Sequence, residues 1–269
     1  MIEPFFLAGS QGALFAVHHP PANKGAEKNA ILYVSPFAEE MNKSRRMAAL
    51  QARRMATAGW GVLIPDLYGT GDSAGDFVDA RWAIWQDDLL RCADWLRQRG
   101  YERLTLWGLR FGGLLAMDQV ATVAAARLLL WQPVLSGQRF LHQFLRLRLA
   151  ADRFKGSNDS MGQLQEKLAA GHSLEVAGYE LHPELASALE QVRPSMPPTH
   201  VHVDWFEVAG TVDAALSPAS QRIVETWRAS GVTVRTQTVI GDAFWATQEI
   251  AEAPILLEAT LTALLDHAL

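Results

Sequence analysis

The feature that most constrains the fold is a segment in which an apolar strand ends at a sharp corner and a helix of small residues begins. Residues 104–107 form a short apolar run, and glycines occupy positions 108 and 112, two before and two after Arg110. Because glycine has no Cβ, the strand and helix backbones can pass close to each other around the corner side chain. The spacing predicts a strand, a tight turn at Arg110 and a helix.

This spacing resembles the G-x-S-x-G nucleophile elbow of α/β-hydrolases, which holds a serine at the edge of the sheet beside an oxyanion hole. The corner residue in this chain is Arg110, where the motif calls for a nucleophile such as Ser, Cys or Asp. The segment therefore predicts the scaffold of a hydrolase without its usual nucleophile.

Apolar runs alternate with helical patterns along most of the chain, which predicts an α/β fold with a mainly parallel sheet flanked by helices. The first two runs, residues 3–8 and 13–19, are separated by a glycine-rich turn and predict a hairpin. Further strands are expected at residues 30–35, just before Asp66, and at 104–107, 126–131, 201–209 and 232–240.

The pattern changes between residues 137 and 200, where helical stretches occur without a clear strand. In α/β-hydrolases an insertion after the sixth strand forms a helical cap over the mouth of the site. We therefore predict a core made of residues 1–136 and 201–269, with a helical cap at 137–200.

The segment after the fourth predicted strand resembles the Asp-x-x-Gly-x-Gly-x-Ser loop of the same superfamily. Its positions are occupied by Asp66, Gly69, Gly71 and Ser73. Short polar side chains of this kind shape a loop by hydrogen-bonding to its backbone. Asp66 and Ser73 are therefore expected to be structural.

The catalytic triad of α/β-hydrolases follows the chain order nucleophile, acid, histidine. Asp213 follows the seventh strand in a turn and is the candidate catalytic acid. Ala243 occupies the place where a histidine is expected, and no histidine lies between His202 and His267, near the end of the last helix. Two of the three triad groups are therefore predicted to be absent.

The features that remain favour an anion. They are the guanidinium of Arg110, the N-terminus of the following helix, and backbone N–H groups predicted to face an oxyanion. The candidate ligand pocket comprises Phe37, Glu39, Arg110, Phe111, Asp213, Ala243, Phe244 and Trp245. Within this set, Phe37 and Phe111 are placed to supply the oxyanion N–H groups.

Three interpretations of Arg110 follow. It could anchor a carboxylate, phosphate or sugar acid, form an ion pair with Asp213 in place of the triad, or assist an unusual hydrolysis with a nucleophile from elsewhere. A neighbouring group, Glu39 and Glu40 close to Lys43, is either a functional cluster or a solvated helix start with acidic residues first.

The composition excludes several classes of partner. The single cysteine, Cys92, cannot form an internal disulfide, and no Cys/His spacing fits zinc. A net charge of −5 gives no general attraction for nucleic acid, and no apolar run of about 18 residues occurs. We predict a cytoplasmic protein without a membrane span, a metal, a cofactor or a nucleic-acid partner, and leave its oligomeric state open.

Local segments also resemble a narrower group, the exosortase A system-associated hydrolases of type 2. The resemblance rests on residues 36–43, 108–112 and 131–135 together and extends over nearly the whole chain. It implies a role in bacterial exopolysaccharide biosynthesis and the PEP-CTERM sorting system. That family is named hydrolase because of the superfamily it belongs to. This chain departs from the triad pattern of the superfamily at Arg110 and Ala243.

These observations support three functional hypotheses. The first is a protein with a degenerate triad that binds a small anionic, acylated or carbohydrate ligand beside Arg110. The second is an active esterase, thioesterase or acyltransferase with non-standard catalytic groups. The third is a scaffold whose cap, rich in Leu and Arg at residues 139–149, docks a biosynthetic enzyme.

Overall fold

An eight-stranded sheet with helices on both faces forms the centre of the computed structural model, which describes residues 2–22, 28–155, 159–211 and 214–266. The strands are β1 (Glu3–Ala8), β2 (Ala13–His19), β3 (Asn29–Val34), β4 (Gly61–Pro65), β5 (Arg103–Leu109), β6 (Arg127–Trp131), β7 (Leu174–Val176), β8 (Tyr179–Leu181), β9 (His202–Ala209) and β10 (Val234–Ile240). The helices are α1 (Glu39–Thr57), α2 (Trp82–Gln98), α3 (Phe111–Gln119), α4 (Gly137–Lys155), α5 (Met161–Ala169), α6 (Pro183–Gln191), α7 (Pro218–Ala229) and α8 (Pro254–Leu265), with a short 3₁₀ helix at Phe77–Asp79.

The strand order is β1-β2-β4-β3-β5-β6-β9-β10. The first two pairings, β1 with β2 and β2 with β4, are antiparallel, and the remaining five are parallel. Parallel neighbours require crossover connections, which here are supplied by helices. The predicted mainly parallel sheet and the opening hairpin are both confirmed.

Alternating side chains on the central strands divide the core into two layers. On β5, Leu106 packs with the layer that contains α2, α3 and α7, whereas Trp107 packs with the layer under α1 and α8. The same division separates Leu130 from Trp131 on β6. Because both faces are covered, these strands are apolar at consecutive positions, which is why the sequence shows them as continuous runs.

The segment at residues 137–200 contains α4, α5, α6 and a two-stranded hairpin of β7 and β8. The expectation that it has no strand was therefore wrong. Each strand of this hairpin has only three residues, which is too short for an alternating pattern to be recognised. The turn between them places Ala177 and Gly178 at positive φ (51° and 86°), as tight hairpin turns require.

Aromatic rings join this segment to the carboxyl ends of the central strands. Phe140 of α4 stacks on Phe111 at a centroid distance of 4.9 Å, and Phe144 contacts Phe37 at 5.1 Å. The segment therefore covers the corner that precedes α3. Its division from the core at 136/137 and 200/201 remains a prediction.

The loop after β4 is held by the side chains that the sequence marked as structural. The Asp66 carboxylate accepts from the backbone N–H of Asp72 (3.0 Å) and from Arg45 (3.0 Å). The hydroxyl of Ser73 donates to the Asp66 carbonyl and accepts from the N–H of Phe15 (2.8 Å). These bonds fasten the loop to β2 and α1.

One buried carboxylate links the last strands to the C-terminal helix. Asp204 on β9 is fully buried and accepts from Arg127 on β6 (2.6 Å) and Arg235 on β10 (2.8 Å). Both arginines also donate to the Ala263 carbonyl in α8. Asp204 therefore balances two partly desolvated cations at a junction of three strands and one helix.

We predict that Asp204→Ala lowers the free energy of unfolding by about 3–5 kcal/mol, because it leaves buried guanidinium charge without its partner. The matched control is Asp94→Ala, which removes an exposed partner of Arg97 and is expected to cost less than about 1 kcal/mol. Urea denaturation of both variants measures the difference. Equal losses in the two variants would contradict the assigned role of Asp204.

A second buried carboxylate makes stability depend on pH. Asp88 in α2 is fully buried; one oxygen accepts from the Tyr68 N–H (2.9 Å), and the other has no partner among the described residues. Burial raises the pKa of Asp88 to about 6. The folded protein therefore holds this proton more tightly than the unfolded chain does, and ionisation between about pH 4 and pH 6 destabilises the fold.

We predict that Asp88→Asn becomes more stable relative to the wild type as pH rises from about 4 to about 6, by up to about 3 kcal/mol. Below this window the two proteins should unfold alike. Denaturation midpoints at a series of pH values test this, with Asp87→Asn as the control because Asp87 lies on the helix surface and pairs with Arg91. A constant difference across the series would show that Asp88 does not titrate in this window.

Candidate functional site

The predicted corner between β5 and α3 is present and strained. Arg110 has φ 53° and ψ −119°, a combination that non-glycine residues rarely adopt. A Cβ on Gly112 would lie 2.1 Å from the Val34 carbonyl oxygen, and one on Gly108 would lie 2.4 Å from the Gly113 Cα. The two glycines are therefore needed for backbone contact, and the corner side chain projects beyond the end of the sheet.

The corner is also tied to the end of β6. The Arg110 N–H donates to the Trp131 carbonyl (2.9 Å), and the Arg110 carbonyl accepts from the N–H of Val134 (3.0 Å). These bonds bring residues 133–136 alongside Arg110. The loop after β6 therefore becomes a wall of the site.

The side chain of Arg110 lies between a carboxylate and an aromatic ring. Its Nε and Nη2 donate to one oxygen of Glu40 at 3.3 and 3.2 Å, and its Cζ lies 5.4 Å from the centre of the Trp245 ring. Arg110 and Glu40 are each about one-fifth exposed. An ion pair and a cation–π contact therefore hold the corner side chain.

The contact with Arg110 satisfies the hydrogen-bonding capacity of only one carboxylate oxygen of Glu40. Its second oxygen is buried and has no hydrogen-bond partner among the described residues. Burial raises the pKa of Glu40, an effect that the nearby charge of Arg110 opposes. Of the two acids at the start of α1, Glu40 therefore faces the site, whereas Glu39 is exposed and accepts from Asn42 and Tyr179.

Of the other predicted triad positions, only that of the histidine, at Ala243, lies within the described residues. Ala243 is exposed, Phe244 is buried in the core beside Trp131, and Trp245 is the residue of this loop that reaches Arg110. Asp213 and His267 lie outside the described residues. The assignment of Asp213 as the acid, and as a partner of Arg110, therefore remains a prediction.

Aromatic side chains fill the space beside the predicted oxyanion donors. The Phe37 ring contacts the ring of Phe111 at 5.2 Å, and both contact Phe140 from the cap segment. The cavity that Phe37 and Phe111 line measures about 20 Å³, which is room for about one water molecule. An acyl chain does not fit there in this structure.

A much larger cavity opens on the other side of Arg110. It measures about 630 Å³ and lies between the loop after β6, the first turn of α4 and the first turn of α7. Four arginines line it: Arg110, Arg139, Arg193 and Arg222. We call it the arginine cavity.

Arg110 is paired with Glu40, but the other three arginines of the arginine cavity have no ion-pair partner among the described residues. The described lining includes no Asp, Glu or His. Arg193 donates to the carbonyls of Glu190 and Val192, and Arg222 donates to the carbonyl of Pro218. These bonds orient the two guanidinium groups while leaving them charged, because carbonyl oxygens carry no formal charge.

The dipole of α4 reinforces the field in the arginine cavity. Arg139 lies in the first turn of α4 and Ala219 in the first turn of α7, and both line the cavity. The start of α7 is held in place by Glu207, which accepts from the N–H of Ser217 (2.8 Å). Because a helix N-terminus carries a partial positive charge, the start of α4 adds to the attraction for an anion, whereas the Glu207 carboxylate offsets the charge at the start of α7.

The predicted pocket residues do not line a single cavity. Arg110 lines the arginine cavity, and Phe37 and Phe111 line the small aromatic one. Sequence analysis missed Glu40 as the partner of Arg110, and Arg139, Arg193 and Arg222 as lining residues. The position of Arg139 at the start of the predicted cap was the one sequence signal that could have placed it near the site. Arg193 and Arg222 lie far from Arg110 in sequence and gave no such signal.

The described residues contain no cluster of three His, Cys, Asp or Glu side chains that could hold a metal ion. They also contain no helix that is long and apolar enough to cross a bilayer.

Scans against models of protein families and against curated proteins give no match. Solved structures do match. Est1E from Butyrivibrio proteoclasticus with bound ferulic acid has a TM-score of 0.66 and 16% identity, over 97% of this chain and 98% of that one. A thermostable carboxyl esterase from Bacillus coagulans has a TM-score of 0.66 and 12% identity over 98% of both chains. A serine hydrolase without a lid from Xanthomonas campestris has a TM-score of 0.60 and 16% identity, over 98% of this chain and 94% of that one.

The chain has the α/β-hydrolase fold. At these identities the likeness establishes the fold alone, and activity must be argued from the side chains. In this chain Arg110 lies at the corner between β5 and α3, and Trp245 lies in the loop that follows β10. Arginine cannot attack a carbonyl, because its guanidinium stays protonated.

We predict that Arg110→Gly is more stable than Arg110→Ala by about 1–2 kcal/mol, because both remove the ion pair but only glycine adopts φ 53° without strain. The matched pair is Glu166→Gly and Glu166→Ala in the exposed part of α5, where the order should reverse by about 0.5–1 kcal/mol. Thermal and urea denaturation measure all four variants. Equal stability of the two Arg110 variants would mean that the corner relaxes when the side chain is lost.

Proposed function

We propose that this protein is a non-catalytic member of the α/β-hydrolase superfamily that binds a small anionic ligand in the arginine cavity. The observation that carries the proposal is the joint lining of the cavity by Arg110 and three further arginines, without a carboxylate among the described lining residues. Clustered guanidinium groups bind carboxylate and phosphate oxygens, often in bidentate fashion.

Two observations argue against ordinary ester hydrolysis. The nucleophile position carries Arg110, and aromatic rings leave only about 20 Å³ beside the predicted oxyanion donors. Nucleophilic catalysis needs a hydroxyl or thiol within hydrogen-bonding distance of a base. No such pair is found at Arg110 among the described residues.

The second candidate function is an esterase, thioesterase or acyltransferase with non-standard groups. One observation favours it: Glu40 has a buried oxygen without a partner and a raised pKa, as a general base often has. The pairing of Glu40 with Arg110 is more simply explained as neutralisation of a buried cation. The third candidate, a scaffold that uses residues 139–149, places Arg139 at a protein interface.

The ligand is proposed to be a sugar phosphate or a sugar acid, because such molecules combine several hydrogen-bonding groups with negative charge. The resemblance to exosortase A system-associated hydrolases suggests a bacterial exopolysaccharide pathway as its source. A cytoplasmic location is part of the same proposal.

Turnover is the first test. We expect the wild type to hydrolyse short p-nitrophenyl esters and acyl thioesters no faster than the buffer background and to resist labelling by a fluorophosphonate. Arg110→Ser is the companion variant, because it restores a hydroxyl at the corner without restoring a histidine. Wild-type turnover that Glu40→Gln abolishes would overturn the non-catalytic proposal and support the second candidate.

Binding is the second part of the test, measured by calorimetry with inorganic phosphate, glucose 1-phosphate and glucuronate. We expect saturable binding of at least one of these anions that weakens with salt and falls about 3- to 10-fold in Arg139→Gln. Glu40→Gln should raise the affinity, because it frees Arg110 from its competing carboxylate. Arg91→Gln removes a charge on the surface of α2 and is the matched control. Absence of binding to all three probes would contradict the proposal and favour a scaffold.

A further inference from the structure

A further cavity lies on the face of the sheet opposite the arginine cavity. It is independent of the function proposed above. It measures about 210 Å³ and is bounded by α1, by Ile2, and by the ends of β2, β3 and β4. Its apolar wall includes Val17, Met41, Ala48 and Ile64. We call it the α1 cleft.

The α1 cleft contains a buried phenol that lacks a partner. Tyr33 is 3% exposed, and its hydroxyl has no hydrogen-bond partner among the described residues. Burial raises the pKa of Tyr33, and the charge of Arg45, another cleft residue, acts on it in the opposite direction. Tyr33 lines the cleft, and its buried hydroxyl keeps its proton. An unpaired buried hydroxyl is costly, and a ligand oxygen that accepts from it would remove that cost.

The mouth of the α1 cleft carries one cation without an ion-pair partner among the described residues. Arg45 is neutralised by Asp66 at 3.0 Å, whereas no carboxylate is found beside the exposed Arg53. The neighbouring His19 is 4% exposed, and burial lowers its pKa to about 4, with Arg53 lowering it further. His19 is therefore neutral near pH 7, and Arg53 is the lining cation at this end that has no ion-pair partner among the described residues.

The polar groups lie at two ends of an apolar wall. Arg45, near the Tyr33 hydroxyl, and Arg53 are eight residues apart on α1, which corresponds to about 12 Å along the helix axis. Ala48 and Ala49 lie between them and leave space because their side chains are small. A molecule that fits the cleft is therefore elongated and apolar in its middle.

We propose that the α1 cleft binds a small aliphatic organic acid whose carboxylate pairs with Arg53 and whose second, uncharged oxygen accepts a hydrogen bond from Tyr33. The chain between the two groups packs on Val17, Met41, Ala48 and Ile64. The single uncompensated cation selects a monoanion, in contrast to the arginine cavity, which favours several negative charges.

Three matched probes test the proposal. 7-Oxooctanoate carries both groups, octanoate lacks the ketone, and 2-octanone lacks the carboxylate. We expect 7-oxooctanoate to bind the wild type most tightly by calorimetry. Tyr33→Phe should lower its affinity about 2- to 10-fold, to the level of octanoate, since one neutral hydrogen bond is lost. The ¹³C resonance of the ketone carbonyl should shift on binding to the wild type and should not shift with Tyr33→Phe.

Arg53→Gln should reduce the affinity for 7-oxooctanoate to that for 2-octanone. Arg46→Gln is the matched control, because Arg46 pairs with Glu252 and does not line the cleft.

Tyr33→Phe should retain or gain thermal stability, because it removes an unsatisfied hydroxyl, so a loss of binding cannot be attributed to unfolding. Arg139→Gln should have no effect on this binding, which separates it from the arginine cavity. Absence of binding, equal affinity of wild type and Tyr33→Phe, or loss of binding in Arg139→Gln would overturn the proposal.

Discussion

The close contact between the first turn of α3 and the end of β3 is the constraint on which the site depends. Gly112 lies against the carbonyl oxygens of Val34 and Ser35, where any side chain would collide with backbone. This contact forces the chain to turn within one residue, and the cost is borne by Arg110 at positive φ. The surrounding sheet holds that strain, because the corner is also bonded to the end of β6.

A backbone that presents a nucleophile presents any other corner side chain in the same way. Here the presented group is a cation, and the adjacent elements have side chains suited to a cation: Glu40 from the start of α1 and the Trp245 ring from the closing loop. The side chains around the corner therefore decide the chemistry at this position. This dependence explains why similarity in fold to esterases does not by itself assign an esterase activity to this chain.

The electrostatics of the site are local. The whole chain carries a net charge of −5, yet the arginine cavity collects four guanidinium groups and the N-terminal turns of two helices. Backbone carbonyls orient Arg193 and Arg222 without neutralising them. On the other face of the sheet, the α1 cleft has two arginines, of which Arg45 is paired with Asp66, and contains an unpaired phenol at Tyr33. The two cavities therefore select different ligands, and the sheet separates them.

The sequence by itself determined the fold, the corner at Arg110 and the absence of a serine there, because glycine spacing and continuous apolar runs are local signals of backbone geometry and burial. It did not reveal the hairpin of β7 and β8, whose strands are too short to show a period. Only the tertiary structure decided that Glu40, rather than Glu39, faces Arg110, because adjacent residues at a helix start point in different directions. It also decided that Arg139, Arg193 and Arg222 share one cavity, since residues so far apart in sequence meet only when the segment at residues 137–200 packs against the rest of the chain.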